Sequence, residues 1–467
     1  MKTMHLTNSW HESSGGIATF YRVLIEEANR RRQQIRLVVP AALDRVEEAG
    51  EFGRIYHVQA PPVPFNRDYR AIYPSQFLFA GSKVQEILIA ERPDLVEVSD
   101  KYTLNYLGVL LRLRLMPAVD FRPIVVGHSQ ERMDDNVRAY LGLRVLSRTL
   151  CSFYMRWLYF PFFDHHIANS EYTAAELRPA AQGQLVHRGT WIRPMGVDLG
   201  HLSPRRRSAE MRRRLLQNFG ASEESMLLLY VGRLAPEKNL SLLFGVLRGL
   251  AKDRERDYRL LVVGDGIERS EWEQRCLREI PGRALFLRHV KDKNVLGDLY
   301  ANCDIFVHPN PREPFGIAPL EAMASGLPLV APNTGGISTY ANLENAWTVS
   351  SDITSFAEAI REIATKSERV AQKTEKALAA AQSYNWKTVA ASFFDLYETL
   401  GGASKAAPEA LLPGAAFHST SAAGVQAAIF HGISQLSEKS FRMASRLARK
   451  PRSARHRPVT ANPMGSS

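Results

Sequence analysis

The chain has 467 residues, 45% hydrophobic and 23% charged, with a formal net charge of +12 at pH 7. That length exceeds one ordinary core and predicts two domains with the composition of a soluble globular protein. No apolar run approaches the ~18 residues that span a bilayer, and the first residues lack the apolar core of a secretory signal. Three widely spaced cysteines, Cys151, Cys276 and Cys303, argue against a disulfide framework or a zinc site and for a reduced, cytoplasmic setting.

Short apolar runs alternate with helical patterns from the start. Residues 35–39, 95–98, 123–127 and 165–168 read as strands, with helices over 16–32, 76–91, 101–115 and 134–158. The second half repeats the alternation more clearly. Strands are expected at 226–231, 259–263, 284–287, 304–307 and 329–331, with helices at 238–251, 270–279, 293–302 and 317–325. Such alternation predicts an α/β chain of doubly wound parallel sheets covered on both faces. Ser203-Pro204-Arg205-Arg206-Arg207 interrupts the pattern. The expected division is therefore 1–205, 206–385, a final helix over 386–400, and a flexible basic tail over 401–467.

That tail carries nine Lys and Arg against Glu409 and Glu438, a net +7, which leaves only +5 for residues 1–400. The excess charge is then no argument for a specific nucleic-acid partner. A modestly basic folded part suits anionic diphosphates or work beside an anionic membrane. Residues 436–457 concentrate the basic tail and read as a solvated end. Residues 144–163 mix arginines with aromatics; contact with anionic lipid is one reading, and the helical period favours the other, a core helix between layers.

Three glycine-bearing junctions carry candidate chemistry. Gly15 and Gly16 precede a helix, where close backbone approach and unpaired N–H groups suit an anion; a tight connection is the plainer reading. Gly232 ends a strand, and Arg233 emerges at the carboxyl edge where open α/β sheets bind ligands. Lys238 falls in the next helical turn, a poor place for a cation unless an anion is present. The two cations together suit a diphosphate, against the plainer reading of solvated surface charges. Glu313 precedes the helix entered through Phe315-Gly316-Ile317, and Glu321 lies one turn further in. Hydroxyls need acceptors and phosphates need donors, so the set fits a nucleotide sugar.

The segment 313–321, followed by Thr334-Gly335-Gly336, resembles the signature of glycosyltransferase family 4. Gly232-Arg233-Leu234, Glu237-Lys238-Asn239, Val263-Gly264-Asp265-Gly266, residues 299–309, Ala168-Asn169-Ser170 and Met195-Gly196-Val197-Asp198 match in family order. The resemblance implies a GT-B fold: two facing Rossmann-like domains, the second holding the donor, the first the acceptor, with the final helix packing back towards the first. It implies a retaining hexosyltransferase that takes a sugar such as mannose or glucose from a nucleoside-diphosphate sugar to a hydroxyl of a glycolipid or polysaccharide. No cofactor and no obligatory metal are expected. Peripheral attachment at the inner face of an anionic membrane fits such an acceptor.

By this resemblance Arg233 and Lys238 hold the donor diphosphate and Gly15 and Gly16 meet it from the first domain. Glu321 contacts the ribose. Glu313 and the amides of Phe315, Gly316 and Ile317 contact the transferred sugar, Gly264 and Val290 border the nucleotide, and His128 lies near the sugar and leaving phosphate. His289, before Val290, stands where the family usually has glycine, which leaves the base open. Two alternatives stand beside this. A nicotinamide dehydrogenase fits badly, because Gly264-Asp265-Gly266-Ile267-Glu268-Arg269 lacks the third glycine of the dinucleotide fingerprint. A non-catalytic sugar-nucleotide-binding partner subunit is the other, opposed by the presence of Arg233, Lys238, Glu313 and Glu321.

Overall fold

The computed structural model describes residues 1–406 apart from 11–14, 64–65, 142–145, 183–188 and 366. Apolar runs flanked by helices pair in parallel, since each strand must bury both its faces. The first domain builds an eight-stranded sheet. Its strands are β1 (Thr3–Leu6), β2 (Ile35–Ala41), β3 (Arg45–Glu48), β4 (Gly53–Gln59), β7 (Leu95–Val98), β8 (Ile124–Ser129), β9 (His165–Ala168) and β10 (Thr190–Ile192). The order is β10-β9-β8-β7-β1-β2-β4-β3, parallel except for β3 against β4. A separate hairpin, β5 (Pro62–Val63) with β6 (Asn66–Arg70), lies between β4 and β7 in the chain.

The second domain is a six-stranded all-parallel sheet in the order β13-β12-β11-β14-β15-β16. Its strands are β11 (Met226–Val231), β12 (Tyr258–Val263), β13 (Ala284–Leu287), β14 (Ile305–Val307), β15 (Leu329–Pro332) and β16 (Trp347–Val349). In the centre Leu228 is registered with Leu260 on one side and Ile305 on the other. Strand order reverses about β1 in the first sheet and about β11 in the second. Beyond the carboxyl ends at such switch points the flanking loops diverge and leave a crevice. The glycine pair follows β1, the Arg233–Lys238 segment follows β11, and Glu313 follows β14. Topology alone thus gathers the three junctions.

Several elements depart from the periodicity. β1 carries no continuous apolar run because His5 sits inside it; the structure buries His5 against Glu97, so a polar residue occupies a core position. The helix expected over 134–158 divides into α4 (Met133–Leu141), α5 (Leu146–Tyr154) and a π-helical turn, Met155–Tyr159. The helix expected over 76–91 is α2 (Lys83–Glu91), preceded by Gly81 at φ +78°, a backbone that breaks the helix. The segment expected as helix over 238–251 begins as a 3-10 turn, Pro236–Lys238, and the helix proper, α8 (Leu240–Leu250), starts only after it. Asn239, left-handed at φ 54°, separates them and donates to the Pro309 carbonyl at 2.9 Å. Its short polar side chain makes that conformation tolerable. Lys238 is thereby turned out ahead of the helix instead of lying in its first turn.

The last helix, α14 (Trp386–Ala406), runs six residues into the segment assigned to the tail. It packs against α1 (Gly15–Arg31) and β8 of the first domain. The Phe393 ring lies 5.0 Å from Phe20 and 5.6 Å from His128. Tyr397 donates to Glu97 Oε2 at 2.7 Å, while His5 and His128 each bring Nδ1 to 3.2 Å from Oε1. Burial opposes ionisation of Glu97, yet the two histidines hold its pKa well below the usual carboxylate range. At the crossing point a Cβ on Gly196 would meet the Trp386 ring at 2.6 Å, which explains a glycine there.

Removing these contacts should loosen the first domain. Phe393→Ala should cost about 3–5 kcal/mol, and Tyr397→Phe, which takes a donor from a buried carboxylate, about 1–3 kcal/mol. Both read as a lower urea midpoint at unchanged slope. Wild-type midpoints for both variants would show that α14 does not brace this domain.

Candidate functional site

Four segments meet between the domains. From the second domain come the Gly232–Lys238 segment and the loop entering α11 (Ile317–Ala324). Lys238 Nζ lies 2.8 Å from Glu313 Oε2 and 3.0 Å from Oε1. Asn310 donates to the same Oε2 at 3.0 Å, and His308 Nε2 lies 3.4 Å away. Burial opposes ionisation of Glu313, but Lys238 and His308 outweigh it and hold the group well below its ordinary pKa. The carboxylate is therefore charged across the whole useful pH range. A buried ion of this kind is retained only with full hydrogen bonding.

The loop beyond Glu313 makes a tight entry to α11. Gly316 is left-handed at φ +87°, and a Cβ there would press on Tyr340 Oη at 3.0 Å and Glu313 Cγ at 3.1 Å. Tyr340 donates to the carbonyls of Phe315 at 3.2 Å and Gly316 at 2.5 Å, pinning the turn from behind. Among the described residues the amides of Phe315, Gly316 and Ile317 donate no backbone hydrogen bond. Unspent N–H groups at a helix start suit an anion or a hydroxyl oxygen.

Arg233 pairs with Glu237 at 2.8 Å and its side chain is 59% exposed. It also faces the first domain: burial pushes the Tyr69 hydroxyl up to about 12, and the nearby Arg233 charge pulls the other way. Glu321 is half-buried, accepts from Tyr300 Oη at 2.7 Å, and has its pKa raised by burial. It does not touch the Lys238–Glu313 pair. Burial raises the pKa of the Tyr340 hydroxyl, and both glutamates lie near enough to add to that effect.

The first domain closes the other side. A Cβ on Gly16 would lie 2.7 Å from Ile317 Cδ1, and one on Gly15 would lie 4.0 Å from His289 Cε1. Glycine at 16 thus lets Ile317 sit close against the start of α1 without shifting its side chain. His289 and Val290 occupy the loop after β13, with Val290 packed against the interdomain core. Two cross-links set the approach: Ser170 donates to the Pro314 carbonyl at 2.5 Å, and Arg312 Nε lies 3.4 Å from Asp135 Oδ1. Lys293 also pairs with Asp198 at 2.7 Å.

Two assignments are corrected. His128 is 1% exposed, bonded to Glu97 and enclosed by Phe20 and Phe393, so it does not border the cleft. Its Nε2 has no hydrogen-bond partner among the described residues. The cause is β8 register: His128 faces the α1 and α14 side of the sheet. Gly264 is also otherwise employed. A Cβ there would collide with the Gly232 carbonyl, its N–H donates to Leu287 O at 3.0 Å, and its carbonyl accepts from Arg269. Strand-to-strand clearance, with no free amide for a donor, explains that glycine.

The periodicity points to neither Asn310 nor Tyr300, Tyr340, Ser170 or Asp135 as site partners. Asn310, three residues before Glu313 and just past a strand end, is the one a position-based argument could find. The others meet the site only through folding.

The chain matches two family profiles, "Glycosyltransferase Family 4" over residues 14–199 and "Glycosyl transferases group 1" over residues 211–380. It is 27% identical over 407 residues to a GDP-mannose-dependent alpha-(1-6)-phosphatidylinositol dimannoside mannosyltransferase of Mycobacterium tuberculosis, covering 86% of this chain and 96% of that one. A GDP-mannose-dependent alpha-mannosyltransferase of Corynebacterium glutamicum is 25% identical over 344 residues, covering 72% and 73%. In fold the chain matches a sucrose-phosphate synthase from Thermosynechococcus elongatus with TM-score 0.69 at 20% identity, covering 86% of this chain and all of that one. Two facing parallel sheets, a glycine pair across from a lysine–glutamate site, and profiles spanning both halves agree: the chain belongs to the GT-B glycosyltransferases of family 4, and it is an enzyme of that kind.

Proposed function

We propose that the enzyme moves a hexose from a nucleoside-diphosphate sugar, GDP-mannose first among candidates, to a hydroxyl of a glycolipid, with retention at the anomeric carbon. The observation that carries this reading is the buried Lys238–Glu313 pair beside the unspent amides of Phe315, Gly316 and Ile317. The names of the mannosyltransferase relatives support the choice of donor and of a lipid-linked acceptor.

Breaking the anomeric bond leaves positive charge on the sugar and a growing negative charge on the departing diphosphate. Lys238 and Arg233 stabilise the leaving group, the electrostatic contribution that usually dominates. Their two charges meet the diphosphate without calling on a metal ion. Glu313 accepts from sugar hydroxyls, while the three amides donate to others. Both Glu313 oxygens are already held, by Lys238 and Asn310, which disfavours it as a covalent nucleophile. Retention then follows from departure and attack on one face. His128 enters only by bracing Glu97 beneath the cleft. Among the described residues no helix is long and apolar enough to cross a membrane; work at the cytoplasmic face of a membrane is part of this proposal.

The direct test incubates the enzyme with radiolabelled GDP-mannose and a total lipid extract. Label should enter the lipid phase; labelled free sugar alone, with every donor tried, would refute the reading. Lys238→Met should weaken donor binding about 100-fold, seen as lost thermal stabilisation by donor. Glu313→Gln should lower kcat by roughly 10²–10³ with nucleotide affinity little changed. The charge-balanced double variant controls for the stranded carboxylate that Lys238→Met alone would leave. Undiminished donor affinity in Lys238→Met would remove the diphosphate assignment.

The two glutamates should also separate by pH. The depressed Glu313 group stays ionised well below the normal carboxylate range; its contribution to stability is complete above pH ~4.5 and is lost progressively as pH falls from there towards the depressed pKa. Glu321 has a raised pKa, so it takes up its proton first as pH falls. Nucleotide affinity should therefore decline on acidification through Glu321, and Glu321→Gln should flatten that decline. An acid limb unchanged in Glu321→Gln would show that this group does not meet the nucleotide.

A further inference from the structure

The helical period over 144–163 favours a core helix between layers, and the structure overturns that for one of its faces. Cys151, Met155 and Tyr159 turn inward and are buried. Leu150, Phe153, Trp157 and Leu158 turn outward, 54%, 59%, 55% and 40% exposed. Leu150, Phe153 and Trp157 recur at the three- and four-residue spacing of a single helix face. Single apolar side chains at a surface need no explanation, but a row with both a phenyl and an indole ring marks an interaction site.

Charge identifies the partner. From Asn136 to Phe163 the chain holds Arg138, Arg144, Arg148 and Arg156 and no acidic residue. The acids on adjoining elements are already paired. Asp134 is held by Arg132 at 2.6 Å, Asp135 faces Arg312, Glu176 is held by Lys101 at 2.6 Å, and Asp164 by Arg112 at 2.5 Å. On α6 (Glu171–Ala181), Glu171 is paired with Arg178. The Arg156 guanidinium lies 5.6 Å from the Trp157 ring centroid. Interleaved arginines and aromatic rings without free acid match the headgroup layer of an anionic bilayer, where indole rings settle and guanidinium groups meet phosphates.

The position of this face matters as much as its chemistry. α5 packs on α4, and α4 abuts the Pro236–Lys238 turn and carries Asp135, the partner of Arg312. One helix, α4, thus lies between the helix bearing the exposed row and the turn that carries Lys238.

We propose that the outer face of α5 and the π-helical turn docks the enzyme on an anionic lipid bilayer, with Phe153 and Trp157 at headgroup level. A membrane-held acceptor then meets the cleft without leaving the bilayer. This deepens the glycolipid reading and rests on it for its purpose, though docking can be measured apart from transfer.

The experiment sediments the full chain with phosphatidylcholine vesicles, with and without phosphatidylglycerol, and repeats it with F153S/W157S and with R148S/R156S. Wild type should bind the anionic vesicles and release in high salt. F153S/W157S should bind at least about tenfold more weakly while keeping the wild-type melting temperature and donor-induced thermal shift. R148S/R156S should lose the preference for phosphatidylglycerol. No vesicle binding by wild type, or equal binding by F153S/W157S, would overturn the proposal, the latter placing attachment elsewhere in the chain. A wild-type dimer that the variant dissolves, without vesicle binding, would overturn it in favour of self-association. Docking without any donor binding would instead count against the transferase reading and leave the surface assignment standing.

Discussion

A carboxylate kept ionised out of water is the constraint around which this cleft is organised. Glu313 is 8% exposed, a position where a lone charge would take up a proton. Lys238, Asn310 and the neighbouring His308 prevent it, and distinct local devices assemble them. The left-handed Asn239 turns Lys238 out ahead of α8; the end of β14 delivers His308 and Asn310; the left-handed Gly316 folds the loop back over Glu313 Cγ. The pair is a ready-made store of opposite charges. Lys238 can be shared with a diphosphate, and Glu313 then has capacity for sugar hydroxyls.

The two domains are held in register by contacts that touch this same loop. Ser170 holds the Pro314 carbonyl, Arg312 reaches Asp135, and Gly16 admits Ile317. Behind them α14 returns from the second domain to brace the first through Phe393 and the Glu97 cluster. That cluster joins β1, β7, β8 and α14 with one carboxylate. Its cost is that His128 is committed to the core. Beside the Ser170 and Asp135 side chains, the first domain then presents backbone to the second at Gly15 and Gly16. Backbone amides there have fixed geometry and carry no rotamer entropy.

The exposed row on α5 extends the same logic outward. The acids near it are each paired with an arginine or lysine, and its own segment supplies only arginines. A surface depleted of free acid and rich in aromatic rings lies one helix from the turn that carries Lys238. Catalysis and attachment therefore share a structural element, α4, and a lipid surface would present its headgroups beside the cleft.

Sequence by itself determined the alternation of strands and helices, the parallel sheets, and the residues with donor chemistry. Buried strands announce themselves as continuous apolar runs, and glycines, cations and carboxylates at strand ends keep their meaning wherever the chain folds. The limits appear at particular residues. β1 was hidden because His5 interrupts its apolar run, and only Glu97, 92 residues away, makes it a core residue. His128 and Gly264 carry family positions, but their surroundings reassign them to packing. Tyr300, Tyr340 and Asn310 show no periodic signal, since their roles depend on what faces them. Helical period 3.6 places 144–163 on a helix and is silent on which neighbours arrive to cover each face. Tertiary structure decided all of these for one reason: burial and pairing are properties of surroundings assembled from distant parts of the chain, which local patterning does not encode.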